Sequence, residues 1–162
     1  MKYILNKLQE KTTNNFRVNE IKLDLDLPEN FKLKKYEIKN NKLEITEEEK
    51  AETLTSKIGL TLNKYKELNI KVPKYFNAKE PIIIRYTFEE NNDLVENINI
   101  EYESSSSANI IFIYNSKDDT KSFHFFKENL IMQENSNATI SIINLINSNS
   151  ESFISIESNV KE

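Results

Sequence analysis

Apolar residues in the second half of the chain recur in short runs that are separated by Asn, Asp and Ser. Each run is rich in Ile, Phe and Tyr, has the length of a strand, and is bounded by residues that interrupt strands. This pattern predicts a mainly β architecture. The predicted strands are Pro81 to Phe88, Asn97 to Glu103, Ala108 to Tyr114, Ser122 to Phe126, Leu130 to Gln133, Ala138 to Ile146 and Ser152 to Glu157.

The turns between these runs favour a wound parallel arrangement over a series of hairpins. Gly59 is the only glycine of the chain, whereas tight hairpin turns depend on glycine at their central positions. Asn, Asp and Ser turn corners instead, because they tolerate left-handed backbone angles. A β-sandwich with loops of roughly four to six residues fits the same number of strands and is the alternative.

The runs also resemble one another at a distance of about twenty residues when every second run is compared. In this alignment Ile110–Ile113 stacks on Leu130–Met132, which stacks on Phe153–Ile156, and Phe123–Phe125 stacks on Ile140–Ile142. Equivalent side chains then form ladders, with Ile over Ile inside and Asn over Asn at a corner. The pattern predicts a parallel β-helix.

Three segments in the first half of the chain have features of helices. Lys2–Lys11 places its apolar residues at helical spacing. Thr46–Gly59 opens on a capping-box sequence, continues with apolar residues on one face and closes on a glycine. A third short helix is predicted for Leu60–Leu68.

Two segments between these helices predict strands. Ile21–Leu27 alternates strictly between aliphatic and polar residues, as a half-buried strand does. Tyr36–Ile45 predicts a hairpin that turns at Asn40-Asn41 and places Tyr36 opposite Ile45. We therefore expect a small α+β cap over residues 1–80, and the opening coils of a β-helix core over residues 81–162.

Composition and charge exclude several functions. The net charge of −4 argues against nonspecific nucleic-acid binding, because neutralising phosphates needs a basic surface. Cysteine is absent, which excludes disulfides, thiolate metal ligands and thiol nucleophiles within the chain. Met1–Lys7 lacks the apolar core of a signal peptide, and no aliphatic run has the length of a membrane span. We expect a cytoplasmic protein.

The candidate chemical groups do not assemble into a site in the sequence. His124, the only histidine, lacks an evident catalytic partner or further metal ligands, and is interpreted as a strand-surface residue. Ser104–Ser107 lacks the Gly-x-Ser-x-Gly elbow and is interpreted as a coil corner. The acidic clusters lack the spacing and the glycine of a calcium loop and are interpreted as a solvated helix start and two turns; they are Glu47–Glu49, Glu89-Glu90 and Asp118-Asp119. No catalytic, cofactor-binding or metal-binding residue is assigned, and we expect no enzyme.

Several short motifs occur in an order that is typical of one family. The first is Asn15–Ile21, which contains an aromatic-x-Val-Asn-Glu segment, and the others are Asn92–Asn97, Phe123-His124, Glu134–Ser136 and Thr139-Ile140. This order resembles the opening coils of the SufB/SufD family, the scaffolds of the SUF iron–sulfur cluster assembly system, and is most similar to the SufD branch. The resemblance covers most of the chain.

The resemblance implies a right-handed β-helix behind an N-terminal cap. It implies a non-enzymatic scaffold subunit that binds a SufB-like scaffold and a SufC-like ATPase, with an iron–sulfur cluster only in the assembled complex and no cofactor on this chain alone. Phe16 stands where the family often has Trp, the usual corner glycines are missing, and the family's pairing and ATPase-docking surfaces lie in later coils. No functional residue is therefore carried over.

One further expectation follows from a β-helix of this kind. An uncovered last coil has unpaired backbone groups, so we expect the C-terminal strands to self-associate or to bind a partner. The alternative function is that of a self-contained β-solenoid or β-sandwich binding module for carbohydrate or protein. An enzyme ranks third, because a hydrolytic solenoid would show several carboxylates along one strand face, whereas the predicted strand interiors carry Ile and Ser.

Overall fold

The computed structural model describes residues 2–5, 21–24, 36–38, 43–55, 61–62, 64–88, 93–117, 119 and 121–160. Within these residues the chain forms strands and no helix, and hence no helix of the length and hydropathy that a membrane crossing needs. The strands are β1 (Lys2–Leu5), β2 (Ile21–Asp24), β3 (Tyr36–Ile38), β4 (Glu44–Lys50), β5 (Leu54–Thr55), β6 (Thr61–Leu62), β7 (Tyr65–Val72), β8 (Ile82–Phe88), β9 (Leu94–Tyr102), β10 (Ser107–Ser116), β11 (Phe123–Met132), β12 (Asn137–Leu145) and β13 (Glu151–Val160).

Two mainly parallel sheets contain most of these strands. The first, called sheet I here, has the order β13-β11-β9-β7-β4, and the second, called sheet II, has the order β12-β10-β8-β3. From β7 to β13 the chain alternates strand by strand between the two sheets, and every pairing between these strands is parallel. The prediction of a mainly β chain with parallel strands is therefore confirmed.

The repeat along the stack is longer than the sequence suggested. Glu96 pairs with Lys66 on one side and with Phe126 on the other, an offset of 30 residues in each direction. Ile110 pairs with Ile82 and with Ile140, at offsets of 28 and 30 residues. The predicted repeat of about twenty residues, and the stacking partners derived from it, are wrong. The error arose because two predicted runs, from residue 122 to 126 and from 130 to 133, belong to the single strand β11.

Alternation of side chains along these strands builds the core between the sheets. Every second residue of β7 to β11 faces inward, and this face carries the large aliphatic and aromatic side chains. Burying such a side chain contributes about 1.5–3 kcal/mol. The buried cluster contains Leu68, Ile70, Val72, Ile82, Ile84, Tyr86, Phe88, Leu94, Ile98, Ile100, Tyr102, Ala108, Ile110, Phe112, Tyr114 and Phe126.

The predicted helices at Thr46–Gly59 and Leu60–Leu68 are wrong where the structure describes them. β4 occupies the start of the first segment and pairs antiparallel with β7, which occupies the end of the second. Lys64 and Lys66 lie 3.9 Å from carboxylate oxygens of Glu49 and Glu47, so the charges across the pair match. Pairing with an open strand edge has overridden the local helical pattern.

The remaining predictions for the first half have mixed outcomes. The helix predicted at Lys2–Lys11 is replaced by β1 over its described part, and the strand at Ile21–Leu27 is confirmed for β2, which pairs antiparallel with β1. The hairpin over Tyr36–Ile45 is wrong, because Tyr36 pairs with Tyr86 in sheet II while Ile45 pairs with Ile70 in sheet I. The turn predicted at residues 40–41 lies outside the described residues.

Parallel pairing begins at β7, before the proposed boundary near residue 80, and the division into two domains stays a prediction.

Candidate partner-binding edge

The two ends of the parallel stack are built differently. At the first end an antiparallel strand covers each sheet, with β4 on β7 and β3 on β8. At the other end β13 pairs with β11, and β12 pairs with β10, on one side each. Among the described strands nothing pairs with the far sides of β12 and β13. We call these two far sides the outer edge.

Backbone hydrogen bonds show which groups the outer edge presents. The N–H of Glu151 donates to the carbonyl of Ser122 at 2.9 Å, and the N–H of Asn137 donates to the carbonyl of Ser106 at 2.8 Å. Successive N–H groups of a strand point to opposite sides, so the N–H groups of Ser152 and Ala138, and of every second residue after them, point to the outer edge. The edge thus offers two rows of donors and acceptors with a spacing of about 7 Å.

Apolar side chains accompany these backbone groups. Ile156 is 57% exposed and Val160 is 63% exposed, although each is paired in register with a core-facing residue of β11, Glu128 or Met132. Inward-facing residues deeper in the stack, such as Ile98 and Ile110, are fully buried. Leu145, on the outer face of β12, is 57% exposed. An edge with both unpaired backbone groups and exposed aliphatic side chains is suited to strand addition by another chain.

Charge does not protect the outer edge from pairing. Proteins often place lysine on an exposed edge strand to prevent association. The segment from Asn137 to Val160 contains no Lys or Arg and two acidic residues, Glu151 and Glu157. Lys127 of β11 lies 3.7 Å from a carboxylate oxygen of Glu157. The edge is therefore weakly acidic, and a neutral or mildly basic strand fits it.

Two carboxyl groups are buried in the core between the sheets. Glu96 of β9 is fully buried, and the hydroxyl of Tyr86 in sheet II donates to its Oε2 at 2.5 Å. Burial raises the pKa of Glu96 to about 8, although the hydrogen bond from Tyr86 acts in the opposite direction. Glu96 therefore keeps its proton at neutral pH in the folded protein.

The second buried carboxyl is nearer to the outer edge. Glu128 of β11 is 1% exposed, and the hydroxyl of Tyr114 donates to its Oε1 at 3.0 Å. Burial raises the pKa of Glu128 to about 7, and the hydrogen bond from Tyr114 again opposes this rise. In register, Glu128 lies beside Ile156 of β13. The two acid–tyrosine pairs therefore connect the sheets in the middle and near the end of the stack.

The pKa values of Glu96 and Glu128 lie in the range of general acids, but a substrate has no access to either carboxyl group. A catalytic acid must contact the substrate, and neither Glu96 nor Glu128 reaches the surface. Within the described residues there is also no group of three or more His, Asp or Glu side chains with the arrangement of a metal site. The arrangement that this structure offers to another molecule is the outer edge.

The residues singled out in the sequence have different outcomes. His124 is fully buried, with its ring stacked on Phe88 at a centroid distance of 3.6 Å, so its interpretation as a surface residue is wrong. Of the predicted corner Ser104–Ser107, the first three residues lie in the corner between β9 and β10, Ser105 has a φ of 59°, and Ser107 begins β10. Glu47–Glu49 lies on β4 rather than at a helix start. Asp119 has a φ of 64° in a turn, and the predictions for residues 89–90 and 118 lie outside the described residues.

The acid–tyrosine pairs were not predicted from the sequence. Glu96 precedes the predicted strand at 97–103, whereas β9 begins at Leu94. Glu128 fell in the gap between two predicted runs that form β11. Extending the alternation of Ile98 and Ile100 back by one step would have placed Glu96 on the core face. The strand interiors therefore carry carboxyl groups as well as Ile and Ser.

Comparison of the chain with protein-family models, with curated proteins and with solved structures gives no match.

Proposed function

We propose that this chain is a non-catalytic scaffold subunit resembling SufD, which takes part in iron–sulfur cluster assembly in the cytoplasm by binding a SufB-like scaffold and a SufC-like ATPase. The proposed architecture is a right-handed parallel β-helix with an N-terminal cap over residues 1–80. Alternation of β7 to β13 between two parallel sheets supports this architecture, since a coil that winds around one core produces that order. The order of the SufD-like motifs supports the choice of family.

The outer edge is the observation that carries the proposal of a binding function. Its N–H and C=O groups form hydrogen bonds with an added strand, and its aliphatic side chains lose exposed surface in the same step. A SufB-like partner with a β-helix of its own would supply strands of matching spacing. Because this chain has no cysteine, thiolate ligands for a cluster would come from the partner.

A proline substitution at the edge tests the proposal. By alternation from Glu151, the N–H of Ser158 points to the outer edge, and Ser158 is exposed. Ser158→Pro removes this N–H and places the ring where an added strand would lie, while the bonds to β11 remain. We expect the chain to form a complex with a purified SufB-like scaffold and a SufC-like ATPase in size-exclusion chromatography. Ser158→Pro is expected to weaken that complex roughly tenfold or more.

Ser158→Ala is the matched control, because it also removes the hydroxyl but keeps the N–H. Equal binding by the two variants would show that partners do not use this edge. Absence of any complex with the wild-type chain would contradict the scaffold function itself. If the chain alone sediments as a dimer that Ser158→Pro converts to a monomer, a second copy occupies the edge and the proposed partner is wrong.

A further inference from the structure

Glu128 is positioned directly beneath the strand that forms half of the outer edge. Its neighbours in register are Ile98 of β9 and Ile156 of β13. Oε1 accepts a hydrogen bond from Tyr114 across the core, whereas Oε2 is buried without a hydrogen-bond partner among the described residues. One oxygen of a buried carboxyl therefore lies in an apolar environment next to an edge strand.

Few titratable groups face Glu128. Tyr114 approaches from β10, and Glu96 lies on β9, close enough for the charge of Glu128 to raise the pKa of Glu96 further. The described core-facing residues of β12 and β13 are apolar or neutral and bring no charge to this face. Lys66, the cation near Glu96, lies on β7, two strands away from β11 in sheet I. No cation therefore faces Glu128 from its neighbouring strands.

Ionisation of Glu128 places an uncompensated charge in the core. A buried carboxylate without a cation must be hydrated or must recover its proton. Of the two strands that flank β11, β13 is easier to displace than β9, since β13 pairs on one side among the described strands and Ile156 is already half out of the core. Hydrating Glu96 requires a larger rearrangement, because β7 and β11 pair with β9 on both sides.

We propose that the protonation state of Glu128 controls whether β13 stays packed on the stack, and thereby regulates the outer edge. With the proton in place, Glu128 is a neutral partner of Tyr114 and β13 is closed. Opening of β13 lets water reach the carboxyl, which then releases its proton. The regulation of partner binding rests on the proposed function, whereas the opening of β13 does not.

The direction of the pH dependence follows from the two states of Glu128. The pKa of Glu128 is raised to about 7 in the closed state, mainly by burial, and returns to its ordinary value of 4.5 when the carboxyl is hydrated. Between these values opening releases a proton, so the opening equilibrium of β13 increases with pH. Above pH 7 both states are ionised, and the equilibrium levels off.

β11 carries two further titratable side chains, His124 and Lys127. Lys127 alternates with Glu128 onto the outer face of sheet I, where it lies 3.7 Å from Glu157, whereas His124 is buried and lies beside Ser152 of β13 in register. The charged form of histidine is the low-pH form, so hydration of a buried His124 would favour opening as pH falls. The sign of the pH dependence therefore distinguishes a histidine effect from the proposed effect of Glu128.

Amide hydrogen exchange of the full chain tests the proposal. Exchange of peptides from β13 is measured at several pH values, corrected for the intrinsic pH dependence of exchange, and compared with peptides from β9 in the same sample. We expect the opening equilibrium of β13 to increase up to about tenfold per pH unit between about pH 5 and pH 7. Glu128→Gln, which stays neutral and keeps an acceptor for Tyr114, is expected to abolish this increase.

Two further variants complete the test. Glu96→Gln removes the other buried carboxyl and is expected to leave the increase in β13 intact. Tyr114→Phe removes the hydrogen bond that lowers the pKa of Glu128, so the levelling-off is expected to move to a higher pH. A pH-independent opening of wild-type β13, or the same increase in Glu128→Gln, would overturn the proposal. Regulation of the outer edge is tested by measuring the affinity of the chain for the SufB-like scaffold at about pH 5 and at about pH 7. Loss of binding at both pH values contradicts the proposed function but not the opening of β13.

Discussion

At the scale of single residues, the corners between the sheets adopt left-handed angles without glycine. Tyr75, Ser105 and Asn135 have φ values of 63°, 59° and 57°, and they follow one another at intervals of 30 residues along the stack. The prediction that Asn, Asp and Ser turn these corners is confirmed for Ser105, Asp119 and Asn135. Tyr75 is the exception, because a bulky side chain is strained in the left-handed region. Its ring is 73% exposed, so burial contributes little to offset that strain.

This strain predicts that Tyr75→Asn stabilises the protein. Asparagine tolerates the left-handed region, so we expect the free energy of unfolding to increase by about 1 kcal/mol. Urea denaturation measures the change. Tyr75→Phe is the control, since it keeps the strain and the ring that Lys74 contacts at 4.9 Å. If Tyr75→Asn is no more stable than Tyr75→Phe, the corner is not strained.

At the scale of elements, a ladder of asparagines links three strands on the outer face of sheet I. Nδ2 of Asn99 donates to Oδ1 of Asn69 at 2.8 Å, and Nδ2 of Asn129 donates to Oδ1 of Asn99 at 2.8 Å. Nδ2 of Asn129 also lies 2.8 Å from Oδ1 of Asn97. The three residues follow in register on β7, β9 and β11, so identical amides stack one strand apart. The predicted position of an Asn ladder, at a corner, is wrong, because these asparagines lie within the strands.

The ladder predicts a difference between its middle and its end. Asn99→Ala removes a donor and an acceptor that bond two neighbouring strands, whereas Asn69→Ala removes one acceptor. At about 0.5–1.5 kcal/mol for each hydrogen bond, we expect losses of stability of about 2 and 1 kcal/mol. Chemical denaturation of the two variants, side by side, measures them. Equal losses would indicate that solvent replaces the ladder without cost.

The elements also show how far the sequence determines the fold. Runs such as Pro81–Phe88 and Ala108–Tyr114 alternate clearly, and the corresponding strands and their parallel pairing were predictable. Thr46–Gly59 has a good helical pattern, yet its first residues pair with β7, a contact that local sequence does not encode. The prediction of the repeat length was wrong for a related reason. Polar residues interrupt β11, and Glu128 is tolerated there because Tyr114, distant in sequence, supplies a hydrogen bond.

At the scale of the whole molecule, the buried acids make stability depend on pH. Glu96 lies in the middle of the stack, where Tyr86 donates to it and where Lys66, Glu47 and Glu128 affect its pKa. Lys66 itself lies 3.9 Å from Glu47 at the covered end of the core. The alternation of Ile98 and Ile100 places Glu96 on the core face, but the hydrogen bond from Tyr86 of the other sheet is a contact that local sequence does not encode.

This burial predicts that the folded protein loses stability as pH rises from 4.5 towards 8. The folded state keeps the proton of Glu96 up to about pH 8, whereas the unfolded chain releases it near its ordinary pKa of 4.5, so unfolding releases a proton within this window. The free energy of unfolding is expected to fall by about 1 kcal/mol per pH unit for each such group. Glu128 contributes only up to about pH 7, which leaves Glu96 as the source of the slope between pH 7 and 8.

Denaturation of wild type, Glu96→Gln and Glu128→Gln at closely spaced pH values separates the two acids. We expect Glu96→Gln to flatten the slope between pH 7 and 8, because its amide stays neutral and still accepts a hydrogen bond from Tyr86. Glu128→Gln is expected to keep that slope and to reduce the slope below pH 7. A stability that stays constant or rises from pH 6 to 8 in the wild type would contradict burial of protonated acids. The assignment to Glu96 fails if its variant keeps the full slope above pH 7. Both acids lie between the two sheets, so these slopes also measure how completely the stack excludes water from its core.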